Sequence, residues 1–244
     1  MTKNSKIDQA MVLAAGLGSR MRPLTDERPK PLVPLGGVTL IDRVFGRLKT
    51  QGVTKTVVNA HYRAAQIEAH MKGRAGVTVI YEPERLETGG GVLNALPEFG
   101  GNPFFVINSD AVWLDGPTPT LSRLAALWDG ETMDALLLMH RMTLLRSESG
   151  IGDYFLSPLG VARRRLGAEV APYLFAGVQI LHPRLFEDCA PGAFSLNRLY
   201  DAAQKADRLY GMVHDGEWYH VGTPTELRIA EYSIAHEELP VNTR

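Results

Sequence analysis

Phosphate chemistry is what the first cluster of residue types could perform. In Leu13-Ala14-Ala15-Gly16-Leu17-Gly18-Ser19-Arg20, two glycines permit backbone amides to approach an anion, and Arg20 or Arg22 could neutralise its charge. A tight strand-to-helix turn with solvated arginines would use the same residues. Shortly downstream, Pro29 and Pro31 hold Lys30 in what the pattern predicts to be an extended segment, so the lysine loses less entropy on gripping a phosphate. Two familiar phosphate loops are excluded. Met21 stands where a dinucleotide fingerprint needs its third glycine, no acidic residue closes the second strand at Asn59-Ala60, and no Gly-Lys-Ser or Gly-Lys-Thr completes a Walker loop. Glu87-Thr88-Gly89-Gly90-Gly91 forms a second glycine-rich run. Its amides could lie flat against a nucleobase or ribose, with Glu87 reading a base or sugar hydroxyl, although helix capping would equally account for Thr88 and one glycine.

These residues need a scaffold that brings distant loops to one rim. Ala10 to Ala15 is a short apolar run that reads as a buried strand feeding the glycine loop. Leu40, Ile41, Val44, Phe45 and Leu48 recur at helical spacing before Gly52. Strand-like Thr56 to Asn59, a helix marked by Ile67 and Met71, and strand-like Val77 to Tyr81 follow. Gly89 to Gly91 is expected as a turn leading into a helix around Val92 to Leu96, and Phe104 to Ile107 as a strand ending at Asn108-Ser109-Asp110. Such alternation predicts a Rossmann-like α/β fold with a mainly parallel sheet and helices on both faces. Ligands then bind beyond the carboxyl ends of the strands, which puts the glycine loop, His61, Gly89 to Gly91 and Asp110 on one rim.

After the strand Ala135 to His140, Arg141 to Asp153 is polar and aperiodic and reads as a loop or flap. Tyr154 to Val161 and Tyr173 to Leu181 are expected as strands of a small inserted sheet on the substrate side. A helix over Leu196 to Ala206, a last strand at Trp218 to Val221 and a helix from Thr225 to Glu237 complete the pattern. Residues 1–244 read as a single domain, with no internal repeat or linker.

Lys plus Arg, at 26, nearly balance Asp plus Glu, at 27, so there is no global basic field to attract nucleic acid or anionic lipid. No apolar run approaches the roughly 20 residues that span a bilayer. Cys189 is the only cysteine, which excludes an internal disulfide and a cysteine-based zinc site. With the polar start from Met1 to Gln9, this predicts a reducing, cytoplasmic setting.

Taken together, Gly-x-Gly-x-Arg, Pro-Leu-Thr and Pro-Lys-Pro between Leu13 and Leu32 resemble the signature of the sugar-phosphate nucleotidyltransferases. The similarity continues through Asn59-Ala60-His61-Tyr62, Leu86 to Gly91, Asn108-Ser109-Asp110, Phe175 to Val178 and Trp218 to Pro224, and so covers nearly the whole chain. Within that family, the short length and the Glu-Thr-Gly-Gly-Gly run most resemble the N-acetylmuramate 1-phosphate uridylyltransferases, with mannose and heptose 1-phosphate guanylyltransferases close by. The resemblance implies a nucleoside triphosphate and a sugar 1-phosphate as substrates and pyrophosphate as by-product; the chain is expected to act as a monomer. It implies that Leu13, Ala14, Ala15, Gly16, Gly18, Ser19, Asn59, Glu87, Thr88, Gly89 and Gly90 contact the nucleotide, and that Arg20 and Lys30 act on the triphosphate. Asn108, Asp153 and Gly177 fall on the sugar side. Asp110, a hard oxygen donor, would carry Mg²⁺, with Mn²⁺ as the alternative.

The chemistry is consistent with those residue types. A sugar 1-phosphate is largely a dianion near neutral pH, its second pKa being about 6 by analogy with phosphoserine. It therefore needs charge neutralisation and in-line geometry more than a strong base. One departure stands out: relatives commonly place an aspartate where His220 precedes Val-Gly-Thr. His220 is thus a metal ligand, a hydrogen-bond donor to phosphate or metal-bound water, or simply the end of a strand. The chain also lacks the Glu-Lys-Pro segment that many relatives direct at the sugar phosphate; Arg163, Arg164 and Arg165 are the nearby cations, and a solvated edge is the ordinary role of such a run. A nucleotide-sugar sensor without turnover is the non-enzymatic alternative.

Overall fold

Ala10 and Val12 are buried in one hydrophobic layer and Met11 in another, so the first strand must be covered on both faces. The computed structural model describes residues 7–145 and 150–237. Its strands are β1 (Gln9–Leu13), β2 (Pro34–Leu35), β3 (Val38–Thr39), β4 (Lys55–Ala60), β5 (Val77–Tyr81), β6 (Phe104–Asn108), β7 (Val112–Trp113), β8 (Ala135–Arg141), β9 (Tyr154–Leu156), β10 (Ala162–Arg164), β11 (Tyr173–Leu181), β12 (Leu209–Val213) and β13 (Trp218–Tyr219). The helices are α1 (Leu40–Gln51), α2 (Ala64–Met71), α3 (Glu87–Ala95), α4 (Thr120–Leu127), α5 (Asn197–Lys205) and α6 (Pro224–Glu237).

Nine strands form one mixed sheet. β6, β1, β4 and β5 run parallel in that order, the arrangement expected of strands joined by helices. One face carries α1, α2 and α4, through Ile41, Val44, Ile67, Met71, Leu121 and Leu124, packed on Val12, Val58, Phe105 and Ile107. The opposite face carries α3 and α5, through Val92, Ala95, Leu199 and Ala203, packed on Met11, Val57, Phe104 and Val106. The α/β class with helices on both faces therefore follows from strands that alternate two apolar sides.

The second half of the sheet departs from the predicted pattern. Instead of joining an inserted sheet, β11 pairs antiparallel with β6 and with β8 in the main one. Tyr154 to Val161, expected as one strand, stops at Leu156 and turns through Gly160, φ 80°, into the short strand β10. Pairing of distant segments depends on tertiary contacts that local periodicity does not encode.

This half also creates the cleft. Between Phe175 and Gln179, β11 shifts register at Gly177, φ 78°, where an added Cβ would lie 3.0 Å from Asn108 Nδ2. β6 ends there, and further along β11 its free edge is taken up by β9 at Tyr154. A gap opens between the end of β6 and the β9–β10 hairpin. α6 closes the neighbouring side: Leu227, Ala230 and Ile234 pack on Met21, Val33 and Leu35 beside the glycine loop. Thr223 caps its start, its Oγ1 accepting the Glu226 amide at 3.2 Å, while Glu226 Oε2 accepts from the Gly222 amide at 2.9 Å and from Thr223 Oγ1 at 3.0 Å.

Candidate active site

Two adjoining lobes, of about 450 and 420 Å³, lie beyond the carboxyl ends of β1 and β6, and Asn108 and Asp110 line both. The first holds Arg20, Asp153, Arg165, Gly177, Trp218 and His220. The second holds Leu13, Ala15, Gly16, Lys30, Asn59 and Thr88, together with Arg85, Glu87 and Ser195. Asp110 stands at the junction of the lobes because it is the second residue after β6, the strand that lies between β1 and β11.

Lys30 Nζ binds Asp110 Oδ2 directly, with the lysine side chain 13% and the aspartate 36% exposed. The pair is set by the loop. Gly18 adopts φ 63°, and a Cβ there would stand 3.0 Å from Lys30 Cβ, so the absent side chain lets the loop close over the lysine stem. Thr25 Oγ1 donates to the Gly18 carbonyl at 2.8 Å and fixes the curl. Lys30 itself opens a 3₁₀ turn, Lys30–Leu32, instead of lying in an extended segment; the flanking Pro29 and Val33 are extended. Ser19 begins a similar 3₁₀ turn with its side chain exposed, and Arg20, next along, reaches the first lobe and not the one that contains Lys30.

Asn59 and Ala14 serve as scaffold. The Ala14 amide donates to Asn59 Oδ1 at 2.8 Å, and Asn59 Nδ2 donates to Glu82 Oε1 at 2.7 Å, so the amide of Ala14 is already committed. His61 is likewise occupied, its Nδ1 2.8 Å from the Glu82 carbonyl.

The glycine run after Glu87 does not form the expected exposed turn. Gly89, Gly90 and Gly91 lie buried within the first turns of α3, and the amides of Gly89 and Gly90 donate to the Phe194 carbonyl at 2.8 and 3.2 Å. Their lack of side chains permits close packing. A Cβ would meet the Phe194 ring at 2.3 Å from Gly89, the Gly192 carbonyl at 2.1 Å from Gly90, and Asn59 and Glu82 at 2.8 Å from Gly91. Gly89 and Gly90 therefore support the lobe from behind. Glu87 and Thr88 line it, and Glu87 takes φ 58°, a conformation rare for a residue with a side chain. Thr88 Oγ1 accepts the Leu196 amide at 3.0 Å and ties α3 to the segment that carries Ser195.

On the other side, Asp153 Oδ2 accepts the Phe175 amide at 3.0 Å, which fastens β11 beyond its register shift. His220 Nε2 lies 3.8 Å from Glu226 Oε2, and its ring packs on Trp218 at 5.8 Å between centroids. Arg85 and Ser195 join the lobe without having been singled out by sequence. Arg85 directly precedes the Leu86 to Gly91 motif, which is the one signal that could have found it, whereas Ser195 has no local signal.

Behind the wall, the Trp218 indole donates to the Ala176 carbonyl at 3.0 Å, and His140 lies 5.6 Å from the Trp218 ring. Burial at 1% exposure, reinforced by the neighbouring His214, pushes the His140 pKa down to about 4. His140 thus stays neutral when the unfolded chain, near 6.5, takes up a proton. Its contribution is complete above pH 6.5 and is lost as pH falls toward 4, about 3 kcal/mol in all for a shift of this size. We expect the urea midpoint of the parent to fall more steeply from pH 6.5 to 4.5 than that of His140→Phe. Equal slopes would show that His140 does not set this acid limb.

A sheet whose strand ends present a glycine loop, a lysine and an aspartate to a two-lobed cleft is the framework of a nucleotidyltransferase acting on sugar phosphates. The profile of the MobA-like NTP transferase domain matches residues 10–189, and the chain belongs to that family. It is 40% identical over 233 residues to an N-acetylmuramate alpha-1-phosphate uridylyltransferase of Caulobacter vibrioides, covering 93% of this chain and 96% of the relative. A protein with the same description from Neisseria meningitidis serogroup B is 34% identical over 230 residues, covering 91% of this chain and 96% of the relative. Among solved structures, UDP-glucose pyrophosphorylase complexed with UDP-glucose superposes with a TM-score of 0.78 at 17% identity, over 95% of this chain and all of that one, which establishes the shared fold.

Asp110 suits a magnesium ion. Mg²⁺ uses one or two carboxylates and completes its shell with water and substrate phosphates. Asp110 offers one partly exposed carboxylate at the junction of the lobes, with Oδ2 on Lys30. Among the described residues no group of three His, Cys, Asp or Glu side chains is arranged to hold a metal.

Proposed function

We propose that the protein transfers UMP from UTP to N-acetylmuramate 1-phosphate, forming the UDP-sugar and releasing pyrophosphate. The observation that carries this reading is the 40% identity, over nearly the full length of both chains, to a uridylyltransferase for that sugar phosphate. The triphosphate occupies the lobe of Lys30, Glu87 and Thr88, and the sugar phosphate that of Asp153, Gly177 and His220. An oxygen of the sugar phosphate attacks the α-phosphorus, and the bond from that phosphorus to the bridging oxygen of the β-phosphate breaks in line.

Lys30 stabilises the charge that accumulates on the departing pyrophosphate. Arg20, on the sugar side of Asp110, offsets repulsion between the two anionic reactants. Asp110 would hold Mg²⁺, which when bound offsets phosphate charge and orients the reacting oxygens. Asn59, through Ala14, keeps the loop in position. His220 fits best as a hydrogen-bond partner of phosphate or bound water, since Mg²⁺ favours oxygen ligands and Glu226 already faces the imidazole.

Pyrophosphate release should be measured with each of the four triphosphates against a series of sugar 1-phosphates. UTP with N-acetylmuramate 1-phosphate should give the highest kcat/KM, with activity abolished by a chelator and restored by Mg²⁺. A clearly higher value for GTP with mannose 1-phosphate would establish the guanylyltransferase reading instead.

A further inference from the structure

Three consecutive arginines at the end of the β9–β10 hairpin have different surroundings. Arg163 pairs with Glu169 at 2.8 Å and lies over the Phe155 ring at 4.3 Å. Arg164 grips Asp201 with Nε and Nη2. Arg165 is half-buried in the wall of the sugar-side lobe, and its guanidinium meets no carboxylate among the described residues. Nη1 is taken by the Gly167 carbonyl, which leaves the Nε and Nη2 edge as an unused fork. Ile151, Leu174 and Phe175 line the same lobe, and apolar walls of this kind strengthen the attraction between a cation and an incoming anion.

The topology fixes which end of a sugar phosphate this fork meets. The 1-phosphate must approach Asp110, where the lobes join. Gly177 packs on Asn108; two residues back along β11, the Phe175 amide binds Asp153, and the Asp153 carbonyl accepts the Arg165 amide at 2.8 Å. With a rise of about 3.3 Å per residue and strands about 4.8 Å apart, the Arg165 backbone lies on the order of 10 Å from Asn108. That is comparable to the length of a hexose 1-phosphate, so Arg165 faces the part of the sugar remote from its phosphate.

We propose that Arg165 is a specificity residue that binds a carboxylate carried by the sugar. This inference rests on the proposed substrate: N-acetylmuramate differs from N-acetylglucosamine by a lactyl ether ending in a carboxylate, and a planar guanidinium matches that group at two points. It also assigns a use to a half-buried cation that no carboxylate of the described fold neutralises.

The test compares kcat/KM for N-acetylmuramate 1-phosphate and N-acetylglucosamine 1-phosphate, each with UTP, in the parent, Arg165→Ala and Arg165→Lys. In the parent the ratio should favour the muramate. In Arg165→Ala it should fall by roughly 10- to 100-fold, mainly through KM of the muramate, as expected for loss of hydrogen bonds to a charged group. Arg165→Lys, which keeps the charge and loses the fork, should give an intermediate ratio. If Arg165→Ala slows both sugars equally and the ratio stands, Arg165 serves the fold or the phosphate and the proposal is overturned.

Failure of the substrate reading has a separate signature, namely a parent that prefers N-acetylglucosamine 1-phosphate. Glucuronate 1-phosphate against glucose 1-phosphate then decides the matter. A carboxylate preference that collapses in Arg165→Ala would uphold the role of Arg165, and no such preference would overturn it.

Discussion

Lys30→Ala is expected to lower kcat by roughly 10²- to 10³-fold, the usual cost of about 3–4 kcal/mol for losing one preorganised charge contact in a transition state. Unfolding would not account for a loss of that size. The Lys30–Asp110 pair borders an open cleft, its aspartate 36% exposed, and ion pairs of that kind contribute at most about 1 kcal/mol to folding. The thermal midpoint should therefore stay close to the parent's while turnover collapses. The effect should fall on kcat more than on KM for the sugar phosphate, since Lys30 lines the lobe proposed for the nucleotide and not the one proposed for the sugar phosphate. Single-turnover measurements with saturating UTP would separate chemistry from product release. A variant whose chemical step matches the parent's would remove Lys30 from the mechanism.

The same lysine illustrates what can be read from the sequence. Its position between two prolines indicates a constrained cation beside the glycine loop, and the structure places it there, although in a 3₁₀ turn. The parallel strands β1, β4, β5 and β6 are readable because each is a short apolar run bounded by loop residues, and α1 because its apolar period ends at Gly52, φ 79°. β11 can be located but not placed, since nothing in Tyr173–Leu181 specifies that it pairs antiparallel with β6. β12, although as long as β1, is interrupted by Gly211, which weakens its pattern as a strand. The glycines of Glu87 to Gly91 stand out in the sequence for a reason other than the one that requires them. The amides of Gly89 and Gly90 are taken by the carbonyl of Phe194, a residue more than a hundred positions away, and only the fold reveals that Gly90 must make room for the Gly192 carbonyl. Arg165 is visible in the sequence only as one of three arginines, and it becomes distinct once its two neighbours are seen to have carboxylate partners.

Asp110→Asn should have the largest effect of any single change at the cleft. The substitution keeps size and one acceptor oxygen but removes the charge that faces both lobes, and a metal contribution of several kcal/mol corresponds to roughly 10²- to 10⁴-fold in kcat/KM. Binding should change as well as rate. Titration of Mn²⁺ in the presence of UTP, followed by electron paramagnetic resonance, should show weaker metal binding in Asp110→Asn than in the parent. Asp110 also anchors Lys30, so the two side chains act as one unit, and their losses should not add. The double variant Lys30→Ala with Asp110→Asn should then be little worse than Asp110→Asn alone. Fully multiplicative losses would mean that the two residues act independently, with Lys30 on the leaving group whether or not Asp110 holds it. Unchanged Mn²⁺ binding in Asp110→Asn, even alongside a loss of activity, would rule out the proposed metal-binding role of Asp110 and leave it the narrower task of orienting Lys30.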